Sequence, residues 1–564
     1  MTGAELEHPQ KVDFLIVGSG PAGCVLARRL SDAGAAVTLV EAGPDLPLEA
    51  TPDDIRDTYP RSYFNDAYTW KGLEVDQGAD GSGQRTPFRQ GRILGGGGSL
   101  MGMIALRGLP GDYDDWGIPG WGWEDLLPHF RGLEDDWDFD GPNHGRGGPI
   151  PIRRHMVADL PPFLRAIGTA AGNRDWPLID DMNTDFADGF GRLPMSSTVT
   201  ERVSALTGYL PAEVRKRDNL TVLTDTTAER LLFDGGRCVG VSVGAGARPT
   251  SLRGDRVILC AGAIQSPALL QRSGIGPAPH LRSLGIPVVA DLAGVGENLQ
   301  NHPVSYLATY LAKEARQSPR VRPQFLSALR FSSAVGSTSG DMNLLPVNKS
   351  SWHGLGAAVA GIGVCLMRPD SRGSVRITST SSSSFPDVRF RTLSDPRDFA
   401  RMVGGMQVAL ELMQDPAVLP LRRELFAAGY SRVVRRLNEP GRVNAQVTRL
   451  LAATLDGPDA LRHAIIKWGI AGGQVDEARM RNRSWMEATV RKRAFGTYHP
   501  AGTCRMGSAE DPAAVVDADC SVLGTEGLSV VDASIMPTIV RANTHIPVVG
   551  MAERAAEILV ARAP

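Results

Sequence analysis

The sequence has few cysteines, little net charge and no long uninterrupted apolar run. Its six cysteines are scattered without a C-x-x-C pair, which argues against a disulfide framework and against a zinc site. The formal net charge of -2 gives no basis for binding nucleic acid or an anionic membrane surface. The apolar runs are too short to cross a bilayer, so no integral membrane segment is expected.

The first eleven residues are polar and show no signal-peptide pattern, so we expect a cytoplasmic protein. No bound metal is expected. A chain of 564 residues is too long for one simple core, which favours two domains. Its 64 glycines and 39 prolines follow no collagen-like period and indicate many turns and close backbone approaches.

The most informative stretch near the start is an apolar run, a glycine-spaced turn, a helical pattern and a second apolar run that ends at Glu41. Gly18 permits a tight turn, Gly20 allows the backbone to approach a pyrophosphate, and Gly23 allows close packing of helix on strand. The helix, from about Pro21 to Ala33, would point its positive N-terminal end at the phosphates. A carboxylate at position 41 suits a ribose hydroxyl. This unit predicts a dinucleotide site for either NAD or FAD.

Two further stretches present backbone in the same manner. Gly95 to Gly98 are four consecutive glycines flanked by apolar residues, which favours a buried loop against a flat ligand over a flexible linker. The run Arg256 to Cys260 reads as a strand that ends in the small-residue turn Ala261-Gly262. Between Tyr306 and Phe495 the pattern changes to amphipathic segments, including 398–413 and 443–466, which indicates an inserted α+β domain.

The C-terminal part carries three polar signals. His499 lies in a loop of small residues, Asp532 and Ala533 follow an apolar strand, and Asn543 with His545 precedes a helix that has an apolar face.

Taken together, these blocks make the chain resemble the glucose-methanol-choline (GMC) family of flavin oxidoreductases along nearly its whole length. Within that family the motifs are most similar to bacterial alcohol oxidases and dehydrogenases of the choline dehydrogenase and hydroxymethylfurfural oxidase type. The matching blocks are Gly18-x-Gly20-x-x-Gly23 with Glu41, Gly91-Arg92-x-Leu94-Gly95-Gly96, Gly262-Ala263-x-x-Ser266-Pro267 with Ser273-Gly274-Ile275-Gly276, Tyr498-His499-Pro500-x-Gly502-Thr503-Cys504, and Val531-Asp532-Ala533-Ser534 through Asn543.

The resemblance implies an α/β fold with a Rossmann-like FAD-binding domain assembled from discontinuous segments, plus an inserted α+β substrate-binding domain. The FAD-binding segments would be residues 1–160, 225–305 and 495–564, the last with the catalytic residues. The substrate-binding segments would be residues 161–224 and 306–494.

The resemblance also implies bound FAD. Relatives that attach FAD covalently do so through a histidine after the glycine run; here that stretch is Ser99-Leu100-Met101, so non-covalent FAD is expected. The implied cofactor-binding residues are Gly18, Ser19, Gly20, Pro21, Ala22, Gly23, Glu41, Ala42, Arg92, Gly95, Gly96, Gly97, Ser99, Ala261, Gly262, Asp532, Ala533, Asn543, Thr544 and His545.

The implied reaction is oxidation of an alcohol to an aldehyde or ketone, with the hydride passing to flavin N5 and the electrons then to O2 or a quinone-like carrier. His499 matches the catalytic histidine and would act as base, since a histidine can take a proton near neutral pH. Asn543 would hold the substrate hydroxyl, and His545 would be a supporting group. Met101 departs from the Asn or His of most relatives beside the flavin.

The substrate is a small alcohol that the sequence does not identify, with Met342, Trp352 and His353 as candidate contacts in the inserted domain. Three alternatives remain: a hydroxynitrile lyase, a photodecarboxylase and a non-catalytic flavoprotein. The photodecarboxylase relatives lack the histidine at position 499 and carry Cys-Arg-Pro where this chain has Met367-Arg368-Pro369.

Overall fold

The computed structural model describes residues 12–46, 50–80, 83, 85–100, 102–244, 250–336, 338–429, 432–471 and 475–562. Met101, predicted to lie beside the cofactor, is outside the described residues. The strands are β1 Val12–Val17, β2 Val37–Val40, β3 Glu74–Asp76, β4 Arg85–Pro87, β5 Glu134–Asp136, β6 Ile150–Arg153, β7 Leu178–Ile179, β8 Gly189–Arg192, β9 Met195–Ser196, β10 Leu220–Leu223, β11 Ala228–Asp234, β12 Arg237–Val243, β13 Thr250–Leu259, β14 Ile275–Gly276, β15 Ala290–Asp291, β16 Pro303–Leu311, β17 Ser327–Phe331, β18 Met342–Val347, β19 Val359–Leu366, β20 Ser374–Arg376, β21 Asp387–Arg389, β22 Arg422–Ala427, β23 Phe495–Gly496 and β24 Leu528–Val530.

The α-helices alternate with these strands along the chain. They are α1 Pro21–Asp32, α2 Asp53–Arg56, α3 Pro110–Asp114, α4 Trp123–Leu133, α5 Pro162–Gly172, α6 Ala205–Tyr209, α7 Ala212–Arg215, α8 Gly262–Arg272, α9 Ala278–Ser283, α10 Gly354–Ala358, α11 Pro396–Met413, α12 Arg432–Asn438, α13 Arg442–Leu455, α14 Asp459–Ile465, α15 Glu477–Met480, α16 Arg483–Arg493 and α17 His545–Ala561.

One sheet is built around the first βαβ unit. Strands β10, β2, β1, β13 and β24 pair in parallel, and the hairpin of β11 and β12 extends the sheet beyond β13. The central strands are apolar runs with helices on the sheet, as buried parallel strands require. The predicted α/β class and Rossmann-like arrangement are confirmed.

Helix α1 begins where glycine and proline allow it. Gly20 is the N-cap and Pro21 fills the first turn, where its missing N–H costs nothing. The helix packs against α17 from the other end of the chain. Arg29 on α1 forms a bidentate ion pair of 2.8 Å with Glu553 on α17, and Tyr209 donates to the same carboxylate. The two ends of the chain are thereby held together beside the sheet.

A second, mostly antiparallel sheet has the order β22-β16-β19-β18-β17-β8-β7, with β23 also paired to β16. Successive side chains along each strand point to opposite faces of the sheet. One face packs on α5 and α11 through apolar side chains such as Leu307, Leu344 and Ile362. The other face is left to line a cavity, so this sheet forms the wall of a site.

Strand β10 lies inside the predicted substrate segment 161–224 but pairs with β2 in the parallel sheet. Its pattern, Leu220 to Leu223, carries the same short apolar signal as its neighbours, and only the pairing reveals which sheet it joins. The other segment boundaries stay predictions.

The amphipathic segment 443–466 is two helices. Gly457 and Pro458 separate α13 from α14, because proline cannot donate to the preceding turn and glycine is a poor helix former. Helix α11 extends over the other predicted amphipathic segment. Among the helices that the structure describes, none is both long and apolar enough to traverse a bilayer.

Candidate active site

The site lies at the carboxyl ends of the parallel strands. A cavity of about 720 Å³ is lined there by residues that end or follow β1, β2, β13 and β24, among them Val17, Glu41, Cys260 and Asp532. This is the edge at which doubly wound sheets bind their ligands. The cavity continues over the free face of the antiparallel sheet.

Glu41 organises the first glycine turn. One carboxylate oxygen accepts from the Ser19 amide at 3.1 Å and the Ser19 hydroxyl at 2.6 Å, and the other accepts from the Gly43 amide at 2.8 Å. Burial raises the pKa of the Glu41 carboxyl, and these hydrogen bonds oppose that shift. Gly18 has φ +102°, and a Cβ there would lie 2.5 Å from the Cys260 carbonyl oxygen. Any larger residue would push the turn away from β13.

The second glycine run crosses the first. A Cβ on Gly96 would lie 3.0 Å from the Cα of Gly20, and one on Gly98 would lie 2.8 Å from the His545 ring. Among the residues that the structure describes, nothing lies within 4 Å of a Cβ at Gly97, which faces the open cavity. The two runs and His545 thus surround a slot whose width depends on the absence of side chains.

Asp532 ties the last strand to α8. Its carboxylate accepts from the Gly262 amide at 2.8 Å, the Ser266 hydroxyl at 2.6 Å and the Ser534 amide at 2.7 Å. The turn before α8 and the Asp532-Ala533 backbone are therefore fixed side by side at the cavity edge.

Most of the predicted cofactor residues line this cavity. Those that do are Gly18, Gly20, Pro21, Ala22, Glu41, Ala42, Gly96, Gly97, Ala261, Gly262, Asp532, Ala533, Asn543, Thr544 and His545.

The other predicted cofactor residues support the loops from behind. The Ser19 hydroxyl accepts from the Gly95 amide at 3.0 Å, Ser99 donates to the Leu94 carbonyl, and Arg92 lies over the Trp70 ring. Gly23 permits the close approach of α1 to the first turn, where a Cβ would lie 2.0 Å from the Gly18 carbonyl oxygen.

The geometry fits a dinucleotide. The slot between the glycine runs opens at the start of α1, whose N-terminal amides favour an anion, and Glu41 lies at the expected ribose end. Both ring nitrogens of His545 are buried without a hydrogen-bond partner inside the described residues. Buried polar atoms are normally partnered, so His545 marks a place where a polar ligand belongs.

The predicted base and its partner are in contact. The amide nitrogen of Asn543 lies 3.2 Å from Nε2 of His499, and both residues line the cavity. Loop 497–502 holds the histidine from one side, and the turn before α17 brings the asparagine from the other. The Asn301 side chain accepts from the His499 backbone amide at 3.1 Å, which fixes the loop.

A third residue, His302, was missed by the sequence analysis. Its Nε2 lies 3.1 Å from the Val540 carbonyl, so this nitrogen carries the proton and Nδ1 is an acceptor. That Nδ1 lies 3.0 Å from Nδ1 of His499. The only sequence signal is the polar pair Asn301-His302 directly before Pro303 and an apolar strand.

The Thr497 hydroxyl supports the same tautomer of His499. Its hydroxyl donates to the Asn301 side chain at 3.2 Å, which leaves the oxygen to accept from Nδ1 of His499 at 3.0 Å. Both neighbours of Nδ1 are acceptors, so His499 carries its proton on Nδ1. The lone pair is therefore on Nε2, the nitrogen beside Asn543.

Burial keeps both histidines neutral. Removal from water lowers the pKa of His499 to about 4 and holds the pKa of His302 well below its usual range. At neutral pH, Nε2 of His499 is an unprotonated acceptor that opens on a largely apolar cavity.

The candidate substrate contacts separate in the structure. His353 lines the cavity and accepts from the Gly356 amide as the N-cap of α10. Met342 is fully buried on the opposite face of its sheet, in the core with α11. Trp352 donates to the Asn438 carbonyl and is absent from the cavity lining.

Away from the cavity, Glu134, Asp136 and His144 lie close enough together to suggest metal ligands. Two buried arginines already compensate this cluster: Arg107 pairs with Glu134, and Arg154 pairs with Asp136 at 2.9 Å. The surrounding carboxylates raise the pKa of His144 to about 10, so it is a third cation. Asp181 supplies a third carboxylate, 3.1 Å from His144 and 2.7 Å from Arg154, so the cluster is a balanced ionic network.

Comparisons with known proteins identify the class. Two models of one family, described as GMC oxidoreductase, match residues 12–304 and 369–552. The protein is therefore a FAD-dependent oxidoreductase that acts on alcohols. The chain belongs to the GMC oxidoreductase family, as its motifs predicted.

Individual relatives match over the full length. A 5-(hydroxymethyl)furfural oxidase from Methylovorus sp. (strain MP688) is 35% identical, with 98% of this chain and 99% of the relative covered. An oxygen-dependent choline dehydrogenase from Pseudomonas savastanoi pv. phaseolicola is 33% identical, with 98% and 94% covered. The crystal structure of pyridoxine 4-oxidase from Mesorbium loti superposes with a TM-score of 0.80 at 27% identity, covering 97% of this chain and 98% of that one. The predicted similarity to both relatives' types is confirmed.

Proposed function

We propose that the protein oxidises an alcohol to an aldehyde or ketone with His499 as the base, using non-covalently bound FAD and passing the electrons to O2 or another acceptor. The observation that carries this proposal is the unprotonated Nε2 of His499 beside the Asn543 amide, both at the cavity wall. An alcohol hydroxyl placed there would donate to the histidine and accept from the asparagine.

The chain's own groups account for the proton. The Asn543 amide holds the hydroxyl oxygen, and Nε2 of His499 removes the hydroxyl proton. His302 and Thr497 accept from Nδ1, so they support the histidine as it becomes positively charged. FAD, when bound, supplies the acceptor for the carbon-bound hydride at its N5 atom.

Binding of FAD would use the two glycine runs, Glu41 at the ribose, and Asp532-Ala533 with His545 near the reacting end. Non-covalent attachment is favoured because Ser99 and Leu100, directly after the glycine run, offer no histidine for a covalent link.

The test is anaerobic mixing of the yellow holoenzyme with a panel of alkyl, aryl and amino alcohols. The His499→Ala variant should keep the flavin absorbance and lose flavin reduction by at least about 10³-fold, in the range expected for removal of a general base. His463→Ala, at an exposed histidine of α14, is the matched control and should reduce normally. Unchanged reduction in His499→Ala would refute the assignment of the base.

Two outcomes would point to other functions. Release of cyanide from mandelonitrile without bleaching would identify a hydroxynitrile lyase, and light-dependent alkane formation from a fatty acid would identify a photodecarboxylase.

A further inference from the structure

The cavity extends from the catalytic pair along the free face of the antiparallel sheet. Val304, Tyr306 and Ala308 of β16 all line it, since alternate residues of a strand share a face. Val304 lies two residues after His302 in the chain and pairs with Phe495, which lies four residues before His499. Four residues of strand span about 13 Å, so the wall leads about that far away from the catalytic histidine.

Neighbouring strands continue three rows across this wall. Cys365 and Asn343 lie in register with Val304 and form the first row, and Leu345 is in the second row with Tyr306. Val347 is in the third row with Ala308, and Phe426 of β22 pairs with Ala308 from the other side.

Two glycines of β19 belong to this wall. Gly363 and Gly361 of β19 occupy the second and third rows. A Cβ at Gly363 would lie 2.8 Å from the Tyr306 ring, and one at Gly361 would lie 2.7 Å from the Leu307 carbonyl oxygen. Glycine weakens a strand, and at these two positions it makes room for β16: the Tyr306 ring lies over Gly363, and the backbone of β16 closely approaches Gly361.

The far end of the cavity is closed largely by apolar side chains, and the polar residues Ser351, His353 and Asn438 belong to the same lining. Side chains from α10, α13, α14 and the turn that follows α14 close over the third row: Leu355, Leu451, Ile465 and Ile470. They belong to the same apolar cluster as Phe426 and Ala308.

Negative charge is confined to the cofactor end. Among the described residues that line the cavity, the carboxylates are Glu41 and Asp532, and both are engaged by backbone amides. The cationic side chains in the same lining are Arg89 and Arg272. The polar side chains of the substrate wall, such as Asn343, are neutral.

We propose that the substrate is a neutral alcohol with an extended apolar tail that lies along the three rows, and that cationic amino alcohols of the choline type are rejected. An ammonium group would lose its water against a wall whose described residues include no carboxylate. Cation–π contact with Tyr306 or Phe426 would offset only part of that loss. This proposal rests on the proposed function and concerns which alcohol that function serves.

The first test compares two isosteres on the holoenzyme. Choline and 3,3-dimethylbutan-1-ol differ by a charged nitrogen in place of a carbon. The neutral alcohol should have a kcat/KM at least about 10³-fold higher, given the cost of burying an unpaired ion. Equal or better turnover of choline would overturn the proposal.

The second test is tail length. From n-butanol through n-hexanol to n-octanol, kcat/KM should rise about three- to four-fold for each methylene that the wall buries. Ala308→Phe fills the third row and should lower the n-octanol to n-butanol ratio more than ten-fold. Ala453→Phe, on the exposed side of α13, adds the same ring elsewhere and should leave the ratio unchanged.

If Ala308→Phe fails to fold, the alcohol series on the unmodified protein still tests the proposal. A kcat/KM that does not change from n-butanol to n-octanol would by itself overturn the proposed binding of the tail. If none of these alcohols bleaches the flavin, the proposed function itself fails. Bleaching by n-butanol without discrimination of charge or length would leave the function standing and remove this inference.

Discussion

Replacement of His302 tests the tautomer argument most directly. Two acceptors meet Nδ1 of His499, namely Nδ1 of His302 and the hydroxyl of Thr497, each at 3.0 Å. His302→Phe keeps a ring in the buried space, where His302 is 1% exposed, and removes one acceptor. Thr497→Val removes the other with little change in shape.

The two losses should be strongly non-additive. Loss of one of two acceptors removes a neutral hydrogen bond worth about 1 kcal/mol, so each single variant should slow flavin reduction about five-fold. Loss of both leaves the Nδ1–H buried without a partner, which costs about 1–3 kcal/mol and favours moving the proton to Nε2. A base of the wrong tautomer has no lone pair for the substrate, and the double variant should be slower by on the order of 10³ to 10⁴-fold.

The assay is the rate of flavin reduction in anaerobic stopped flow, with the flavin spectrum as the check on folding and cofactor content. His302→Gln restores a carbonyl oxygen near the same place and should recover part of the rate, which a loss of packing alone would not explain. The reasoning is refuted if His302→Phe reduces flavin within two-fold of the unchanged protein, or if the double variant equals the product of the single effects.

Two further predictions concern charge. Because burial lowers the pKa of His499 to about 4, the neutral form is present above that pH, so flavin reduction should be independent of pH between about 6 and 8 and fall about ten-fold per unit below pH 4. A rate that still rises with pH between 6 and 8 would contradict a neutral resting histidine. Glu41→Gln replaces one of two accepting oxygens by a donor that faces Ser19 or Gly43, and FAD should dissociate about 10 to 100-fold more readily, measured as flavin fluorescence after dilution. Asp45→Asn, at a more exposed carboxylate in the same loop, should retain FAD, and equal retention in both variants would exclude the role given to Glu41.

Local sequence signals predict those helices and turns whose ends are determined by neighbouring residues. The helix predicted at Pro21 to Ala33 is α1, Pro21–Asp32, because glycine and proline at its start are read directly from neighbouring residues. Gly457 and Pro458 also carry a local helix-breaking signal, but the amphipathic pattern continues on either side of them and hides the break. The family and fold followed from such motifs, since their order along the chain is itself a signature.

His302 shows what remained hidden. The role proposed for it depends on the Val540 carbonyl and on His499, which is 197 residues away in the chain. No periodicity or motif encodes which ring nitrogen will meet which acceptor. The same limit applies to the substrate wall, where residues of β16, β18 and β19 acquire a meaning only through their register. Met342 illustrates the converse, because its place in the chain suggested a substrate contact while its side chain faces the core.

The order in which the parallel sheet is assembled has a consequence for biosynthesis. Strand β24, the Asp532 carboxylate and helix α17 all come from the last part of the chain, yet they complete the sheet, the cofactor slot and the packing of α1. Because the N-terminus is synthesised first, the pocket around the first glycine turn cannot form until nearly the whole polypeptide has been made. Cofactor binding is then expected only after nearly the whole chain has been synthesised. A chain truncated within α17 would leave the apolar face of α1 exposed.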